Sequence, residues 1–356
     1  MKKLNFTALI EELNHQGMCD ASAAIAVGDN DYLIVANDED NILRVYQSKT
    51  SGKPITEIEL NEYFKHNSPK KEVDIEGAAL LEGVVYWITS HGRNKKGKLK
   101  SKRRQFFATK ITGEGASISV KQKGISYENL LQDLRDSLGD QELNKYFESV
   151  DLDKHLAPQE KDGINIEGLC ATPNKDLLIG FRNPIPDGKA LLIPLKNPAE
   201  LVRKKKSSAQ FGEPIRLDLG GLGIRSIEYW EKYKTYIICA GAFDDSSNFC
   251  LYQWSGNPAE NPEIINFVFP QDFRPESVLF YPNQDDQLHI LSDDGGIKRT
   301  VLRRECSTAD GFPAAGNCTG FPDQGTVRRD GITECKDLPK EQQYFRSIWL
   351  KVNDGR

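Results

Sequence analysis

The chain has 356 residues, of which 38% are hydrophobic and 28% are charged, a composition that predicts a soluble globular protein with a sizeable core. It contains no run of about 18 apolar residues and no signal-peptide pattern, so we expect no membrane association. The 47 Lys and Arg against 52 Asp and Glu leave a net charge of -5, which argues against nucleic acid as a partner.

The seven cysteines fall into two groups. Four lie in apolar, strand-like segments, where a reduced thiol behaves as a small hydrophobic side chain: Cys19, Cys170, Cys239 and Cys250. This group predicts a cytoplasmic protein. Three lie in a stretch rich in glycine and proline, too widely spaced for a paired zinc motif: Cys306, Cys318 and Cys335. Free thiols are the favoured interpretation for them, with a loop disulfide or a metal site as alternatives.

A short pattern occurs five times along the chain, each time as an apolar run entered by polar residues. The copies are CDASAAIAV from Cys19, VDIEGAALL from Val73, INIEGLCAT from Ile164, IRSIEYWEK from Ile224 and FRPESVLFY from Phe273. A tight turn and a second β-branched or apolar run follow each copy, so every unit opens as a hairpin. Third and fourth strands follow in most units, and four antiparallel strands are one blade of a β-propeller.

The two ends of the chain complete this pattern. The fifth unit has a third strand, YFRSIWLKV, but no fourth, whereas the N-terminal LNFTALI belongs to no unit. Pairing the two would remove an open sheet edge. We therefore predict an all-β, single-domain propeller over residues 1–356 with five blades, closed by its terminal strands. The similarity of Arg225-Ser226-Ile227 to Arg346-Ser347-Ile348 leaves six blades as an alternative.

Helix is expected mainly over residues 126–156, where leucines recur at helical spacing and Gly139 divides the segment into two. A second short helix is predicted in PAELVRKKK. Three insertions are expected on one face of the propeller, at residues 93–104, 126–160 and 295–343. Such loops on a rigid scaffold often surround a functional site.

The strand starts and ends on this face carry charged and polar residues. Glu76, Glu167, Glu228 and Glu276 occupy equivalent places at the first-strand starts, with Ser22 in the first unit. Residues near the second-strand ends share that face in an antiparallel hairpin: Asn37, His91, Arg182 and Asp293. Asp74, Arg225 and Arg274 enter the first strands just ahead of their glutamates. Carboxylates gathered around one axis need guanidinium partners, a cation or raised pKa values.

Several strings resemble one protein family: DIEG and NIEG, LLIGFRNPIPDGKALLIPL, IRSIE, RPES and the closing FRSIWL. They resemble the bacterial family DUF3616, which has no established activity and is similar to phytase-like and esterase-like propellers. The resemblance extends from Asp20 to Val352 and implies a propeller with a pocket, without implying a reaction. Ser22 and Ala23 depart from the Glu-Gly pattern, which argues against a fully symmetric carboxylate ring.

Two functional hypotheses follow. In the first, Arg182, Arg225 and Arg274 hold a small anionic or polar ligand, with further contacts from Glu228, Glu276, Asn37 and Asp293. Hydrolysis of a phosphoester or ester would use Glu76 or Glu167 as general base and His91 as acid, with or without a divalent cation such as Ca²⁺. In the second, the insertion-rich face binds a protein partner, and the Glu/Arg ring is structural without catalysis. Familiar enzyme motifs are absent.

Two further charged stretches have a simpler interpretation. The acidic residues at 38–40 and the pair Asp293-Asp294 offer oxygen ligands for Ca²⁺, but neither fits an EF-hand loop, and a solvated turn is favoured. The basic stretch over 93–104 has no interleaved aromatic residues on which bases would stack. A flexible, solvated hairpin is therefore predicted there.

Overall fold

A computed structural model describes residues 3–28, 31–64, 72–203, 206–244, 246–284, 286–307, 313–314 and 326–353. The first strand is β1 (Phe6–Gln16). Blade 1 contains β2 (Ala21–Val27), β3 (Tyr32–Asn37), β4 (Ile42–Gln47) and β5 (Thr56–Glu59). Blade 2 contains β6 (Ile75–Leu81), β7 (Val84–Thr89), β8 (Phe106–Thr112) and β9 (Ser119–Gln122). Blade 3 contains β10 (Asn165–Ala171), β11 (Leu177–Asn183), β12 (Ala190–Leu195) and β13 (Ile215–Leu217).

Blade 4 contains β14 (Gly223–Trp230), β15 (Thr235–Gly241), β16 (Phe249–Trp254) and β17 (Glu263–Ile265). The last part of the chain forms β18 (Pro275–Leu279), β19 (Gln287–Ser292), β20 (Lys298–Ser307), β21 (Pro313–Ala314), β22 (Thr326–Glu334) and β23 (Tyr344–Val352). Strands β20, β21 and β22 form a separate small sheet within the third insertion. The α-helices are α1 (Leu130–Ser137), α2 (Gln141–Asn144) and α3 (Pro198–Arg203).

The ends of the chain close the ring as predicted. Blade 5 has the strand order β18-β19-β23-β1, so the N-terminal strand is the outermost strand of the last blade. Strand β1 pairs antiparallel with β23 from Phe6 opposite Val352 to Gln16 opposite Tyr344. Because β23 lies between β19 and β1, it cannot begin a further blade, and the six-bladed alternative is wrong. Five antiparallel blades, each of four strands, surround the channel.

The helices of the second insertion are shorter than its leucine spacing predicts. Helices α1 and α2 are separated near Gly139, as expected, and the Asp140 side chain caps α2 by accepting from Leu143 N. Beyond α2 the chain continues in turns, where Phe147 and Val150 bury their side chains in the same apolar cluster as α1. In this part of the insertion, single buried side chains make the apolar contacts that one face of the predicted helix would have made. Among the described residues, no helix combines the length and apolarity needed to cross a membrane.

Short 3₁₀ turns connect several of these elements. They are Asn61–Tyr63, Ser101–Arg103, Gly115–Ser117, Pro186–Gly188, Cys335–Asp337 and Lys340–Gln342.

A disulfide joins Cys19, just before β2, to Cys335 after β22, with the two Cα atoms 5.9 Å apart. The predictions of a reduced thiol at Cys19 and of a free thiol at Cys335 are therefore wrong. Cys19 no longer argues for the cytoplasm, because disulfides persist in oxidising surroundings. Cys170 and Cys239 are buried free thiols, and Cys250 is a partly buried one. Cys318 and the side chain of Cys306 lie outside the described residues.

A buried histidine lies at the closure of the ring. His15 on β1 is fully enclosed, with its Nε2 2.8 Å from Ser347 Oγ on β23 and its ring stacked on Phe345. Burial lowers the pKa of His15 to about 4. The folded protein thus keeps this side chain neutral over a pH range in which the unfolded chain binds a proton.

We expect acidification to destabilise the His15→Gln variant less than the wild type. Between pH 6.5, the ordinary pKa of histidine, and pH 4 the unfolded state binds the extra proton. Stability therefore falls as the pH falls through this interval. The loss of unfolding free energy between pH 7.5 and pH 5, measured with denaturant, should be smaller in the variant by about 2 kcal/mol. The exposed His155 provides the control: a His155→Gln variant that reproduced the change would contradict the assignment.

Candidate functional site

A cavity of about 420 Å³ lies at one end of the propeller channel. All three insertions contribute to its wall. The first contributes Arg93, Asn94 and Lys95, the second Pro158 and Gln159, and the third Glu334 and Lys336. The rest of the wall comes from the first two strands of the blades and the residues beside them. The cavity is therefore built by a rigid ring and bordered by loops.

A bulge at the start of each blade directs one side chain into this cavity. In blade 2, Ile75 pairs with Thr89 and Gly77 with Ile88, which leaves Glu76 without a partner on the adjacent strand. A bulge changes the direction of the side chain that it carries. The corresponding irregularities carry Ser22, Glu76, Glu167, Arg225 and Glu276, and all five line the cavity. In blade 4 the place predicted for Glu228 is thus occupied by Arg225.

One half of the ring is neutralised by arginines. Arg225 lies 2.7 Å from Glu276 Oε2 through NH1 and 3.3 Å from Glu167 Oε2 through Nε. Arg182 NH1 lies 3.1 Å from the other oxygen of Glu167. Arg182 also donates to the carbonyls of Ala242 and Asp244. Both arginines line the cavity, but much of their donor capacity is already used within the protein.

The other half of the ring carries carboxylates of which only Asp74 has an arginine partner, Arg103. Asp38, Asp74 and Glu76 bring one carboxylate oxygen each to within 4.8 Å of one another. Asp20 lines the same cavity and is only 8% exposed, yet its carboxylate has no hydrogen bond or ion pair with a described residue. Asp38 Oδ1 is buried and also lacks a partner. The acidic side of the cavity therefore has unused acceptors.

Burial and mutual repulsion disfavour the charged forms of these four groups. Burial, followed by the charge of Asp293, raises the pKa of Asp20 to about 8. Burial likewise raises the pKa of Asp38 and Glu76 well above the ordinary range. Asp74 is raised less, to a pKa of about 6, because Arg103 lies 2.9 Å away and opposes the effect of burial. A bound cation would remove this penalty.

The number of carboxylates in the cluster suits a calcium ion. Ca²⁺ takes about six to eight oxygen ligands in a flexible geometry, whereas Mg²⁺ usually keeps several waters and binds only one or two carboxylates. Asp38, Asp74 and Glu76 can therefore serve as ligands of a Ca²⁺ ion, with Asp20 as a neighbouring carboxylate.

Two of the other acids considered as calcium ligands, Asp40 and Asp294, are engaged elsewhere. Asp40 Oδ2 lies 2.7 Å from Arg44 NH2. Asp294 lies 2.5 Å from Arg299 NH2 and also contacts Arg346. Of the stretch 38–40, only Asp38 enters the cluster, although Glu39 lines the cavity.

Arg274 differs from the other two predicted arginines. Its guanidinium lines the cavity and makes no hydrogen bond or ion pair with any side chain in the described part of the chain. Asp293 also lines the cavity and accepts from Gly295 N at 2.9 Å through Oδ1. Asn37 is absent from the wall. Its Oδ1 accepts from Glu39 N, so it shapes the turn that carries Asp38.

His91 lies apart from the glutamate with which the sequence paired it. Its Nδ1 is 2.8 Å from the carbonyl of Thr89, and its Nε2 is buried without a partner. It lines a separate cavity of about 10 Å³ beneath the helical insertion, together with Arg93 and Arg104. Burial lowers its pKa to about 4. The structure therefore does not bring His91 and Glu76 together as an acid and a base.

Glu228 lies deeper in the channel. It lines another cavity of about 10 Å³ with Glu76 and Glu167, and burial raises its pKa to about 8.

The arginines of the basic stretch fasten it to the protein. Arg93 donates to the carbonyls of Leu152 and Ser149, and Arg104 donates to that of Val150. Arg103 pairs with Glu72 and Asp74. The expected solvated hairpin is thus anchored through its three arginines.

The sequence did not lead us to Asp20, and we predicted that Asp38 lies in a solvated turn. A signal for Asp20 was present, since Asp20 and Asp74 each precede the bulge residue of their blade by two positions. Nothing local distinguished Asp38 from its neighbours.

The family model described as "Protein of unknown function (DUF3616)" matches residues 20–287. The chain belongs to this family. The DUF3616 model thus covers the first four blades and the beginning of the fifth. No curated protein matches the chain.

Several solved structures are distantly similar to this DUF3616 protein. Glutaminyl cyclase from Myxococcus xanthus is 11% identical, with a TM-score of 0.45, 99% of this chain covered and 100% of the other. The PQQ-bound aldose sugar dehydrogenase from Streptomyces coelicolor is 14% identical, with a TM-score of 0.44 and 99% of both chains covered. A luciferin-regenerating enzyme is 8% identical, with a TM-score of 0.42, 99% of this chain and 96% of the other covered. No function is inferred from similarities this distant.

Proposed function

We propose that this protein binds a divalent cation, best fitted by Ca²⁺, and through it a small anionic ligand in the channel cavity. The observation that carries the proposal is the convergence of Asp38, Asp74 and Glu76 within 4.8 Å. It is supported by Asp20, a buried and unpaired carboxylate in the same wall. Buried charges of one sign without partners are characteristic of ion-binding sites.

The charge of the wall explains why an anion would need the cation. Among the described residues that line the cavity, nine are acidic and seven are basic. In their ionised forms the carboxylates of the acidic side repel an anion. A divalent ion bound there would keep these carboxylates ionised and present positive charge to the anion. Arg274, whose guanidinium has no side-chain partner among the described residues, offers a second contact to the same ligand.

The arrangement supports binding more directly than acid-base catalysis. Glu167 is held by Arg182 and Arg225, and His91 lies in another cavity. In this proposal Glu76 is a ligand of the cation. Hydrolysis of a phosphoester or ester at this site would rely on a bound ion to polarise the substrate.

We expect CaCl₂ to raise the melting temperature of EDTA-treated protein, and methyl phosphate to bind only when calcium is present. A ligand at 100 times its Kd stabilises a protein by about 2.7 kcal/mol. The Glu76→Gln variant should bind calcium about tenfold more weakly or worse, because it loses one charged ligand. Isothermal titration calorimetry measures both binding events.

Glu213→Gln serves as the matched control, since Glu213 is exposed and far along the chain from the cluster. It should bind calcium as the wild type does. If the wild type shows neither a calcium-dependent shift nor heat of binding, the proposal fails, and the protein-scaffold hypothesis becomes the better one.

A further inference from the structure

We infer that the ligand of this cavity is a polyhydroxylated acid, in which one anionic group is accompanied by several neutral hydroxyl groups. The inference rests on the proposed function and adds the chemical class of the ligand. It follows from the composition of the wall and from the hydrogen-bonding capacity that its residues leave unused.

Most residues of the wall are polar or charged. In its described part it contains no aromatic side chain, and Ala21, Pro158 and Gly296 are its nonpolar members. A ligand that placed apolar surface against these charged groups would remove their water without replacing its hydrogen bonds. Each buried polar group left unpaired weakens binding, because its hydrogen bond to water is lost without replacement. The site therefore disfavours alkyl and aromatic ligands.

The hydrogen-bonding groups of the wall that remain without a partner are mainly acceptors. Ionised carboxylates only accept hydrogen bonds. Glu276 uses Oε2 for Arg225, and Asp293 uses Oδ1 for Gly295 N. Within the described residues, the second oxygen of each carboxylate has no bond. A ligand whose anionic group is held by the cation and Arg274 would complete the site by donating to these oxygens.

Neutral donors fit these oxygens better than an ammonium group. Glu276 is already paired with Arg225 at 2.7 Å, and the charges of Arg225 and Arg274 act on Asp293. Once the cation is bound, the wall needs hydrogen-bond donors but no further positive charge. The volume of about 420 Å³ lies at the small end of ligand sites, about 300 to 1,000 Å³, and suits a molecule the size of a monosaccharide.

The test compares three six-carbon carboxylates by calorimetry at saturating calcium: gluconate, hexanoate and 6-aminohexanoate. All three carry a carboxylate. Gluconate also carries hydroxyl groups, 6-aminohexanoate carries an ammonium group, and the chain of hexanoate carries no hydrogen-bond donor. We expect gluconate to bind at least tenfold more tightly than either of the others. Titration of each acid into calcium without protein corrects for complexes formed in solution.

Two variants test which side chains of the wall produce the preference for gluconate. Asp293→Ala removes an acceptor and should reduce the advantage of gluconate over hexanoate to less than threefold. Arg274→Gln should weaken all the carboxylates by a similar factor and leave their ratio unchanged, because it contacts the group that they share.

The outcomes separate the inference from the proposed function. Hexanoate or 6-aminohexanoate binding as tightly as gluconate would overturn the inference while leaving the anion site intact. If none of the carboxylates binds, glycerol 3-phosphate and propyl phosphate form the deciding pair, and equal affinity for the two also overturns it. If calcium itself does not bind, the proposed function fails.

Discussion

Replacing Arg225 by glutamine should lower the free energy of unfolding by about 3 to 5 kcal/mol. Arg225 is 9% exposed and is ion-paired with Glu167 and Glu276, which are also buried. Removing the guanidinium leaves carboxylates from two other blades facing each other without their shared partner. Denaturant titration with circular dichroism measures the loss, and the variant should also unfold at a lower temperature.

Arg274→Gln is the matched control for this effect. Both arginines line the cavity, but the Arg274 side chain has no ion pair in the described part of the protein. Its replacement should change stability by less than about 1 kcal/mol, as for other unpaired, partly exposed side chains. Equal losses in the two variants would contradict the division of the wall into a structural half and a binding half.

Removing the disulfide should have a comparable effect. The Cys19→Ser/Cys335→Ser double variant is expected to lose about 3 to 5 kcal/mol of unfolding free energy. The two cysteines are 316 residues apart in sequence, so the bond restricts nearly the whole unfolded chain. Denaturant titration of the variant and of the oxidised wild type gives the difference.

Two measurements control for the substitution itself. Cys250→Ser changes a partly buried free thiol and should have a much smaller effect. Adding a dithiol reductant should lower the stability of the wild type towards that of the double variant, without affecting the double variant. Thiol titration of the unfolded, non-reduced wild type that found all seven cysteines free would refute the bond.

The blade pattern was predictable because it is local. Strand alternation, turn residues and the repeated opening are properties of short stretches, and the unpaired strands at the two ends indicated the closure that β1 and β23 make. The same repetition placed Glu76, Glu167, Arg225 and Glu276 at the channel, where all of them line the cavity.

The parts of the site that were not predictable depend on contacts between distant segments. In blade 4 the bulge places Arg225 in the ring instead of the predicted Glu228, because the pairing of β14 with β15 shifts at Arg225. The bond between Cys19 and Cys335 depends on how the third insertion folds back over blade 1. His91 turned away from the cavity because its ring nitrogen contacts the carbonyl of Thr89.

The sequence by itself determined the propeller and the face on which the charges gather, because both follow from residues a few positions apart. It also determined the closure, because each end of the chain carries a strand without a partner in its own unit. Only the tertiary structure decided which charges are compensated. Arg182 and Arg225 lie close enough to neutralise Glu167 and Glu276, whereas Asp38 and Glu76 meet without a guanidinium partner among the described residues. The compensation by Arg225 depends on distances of a few ångströms between different blades, and such distances exist only once the blades have assembled into the ring.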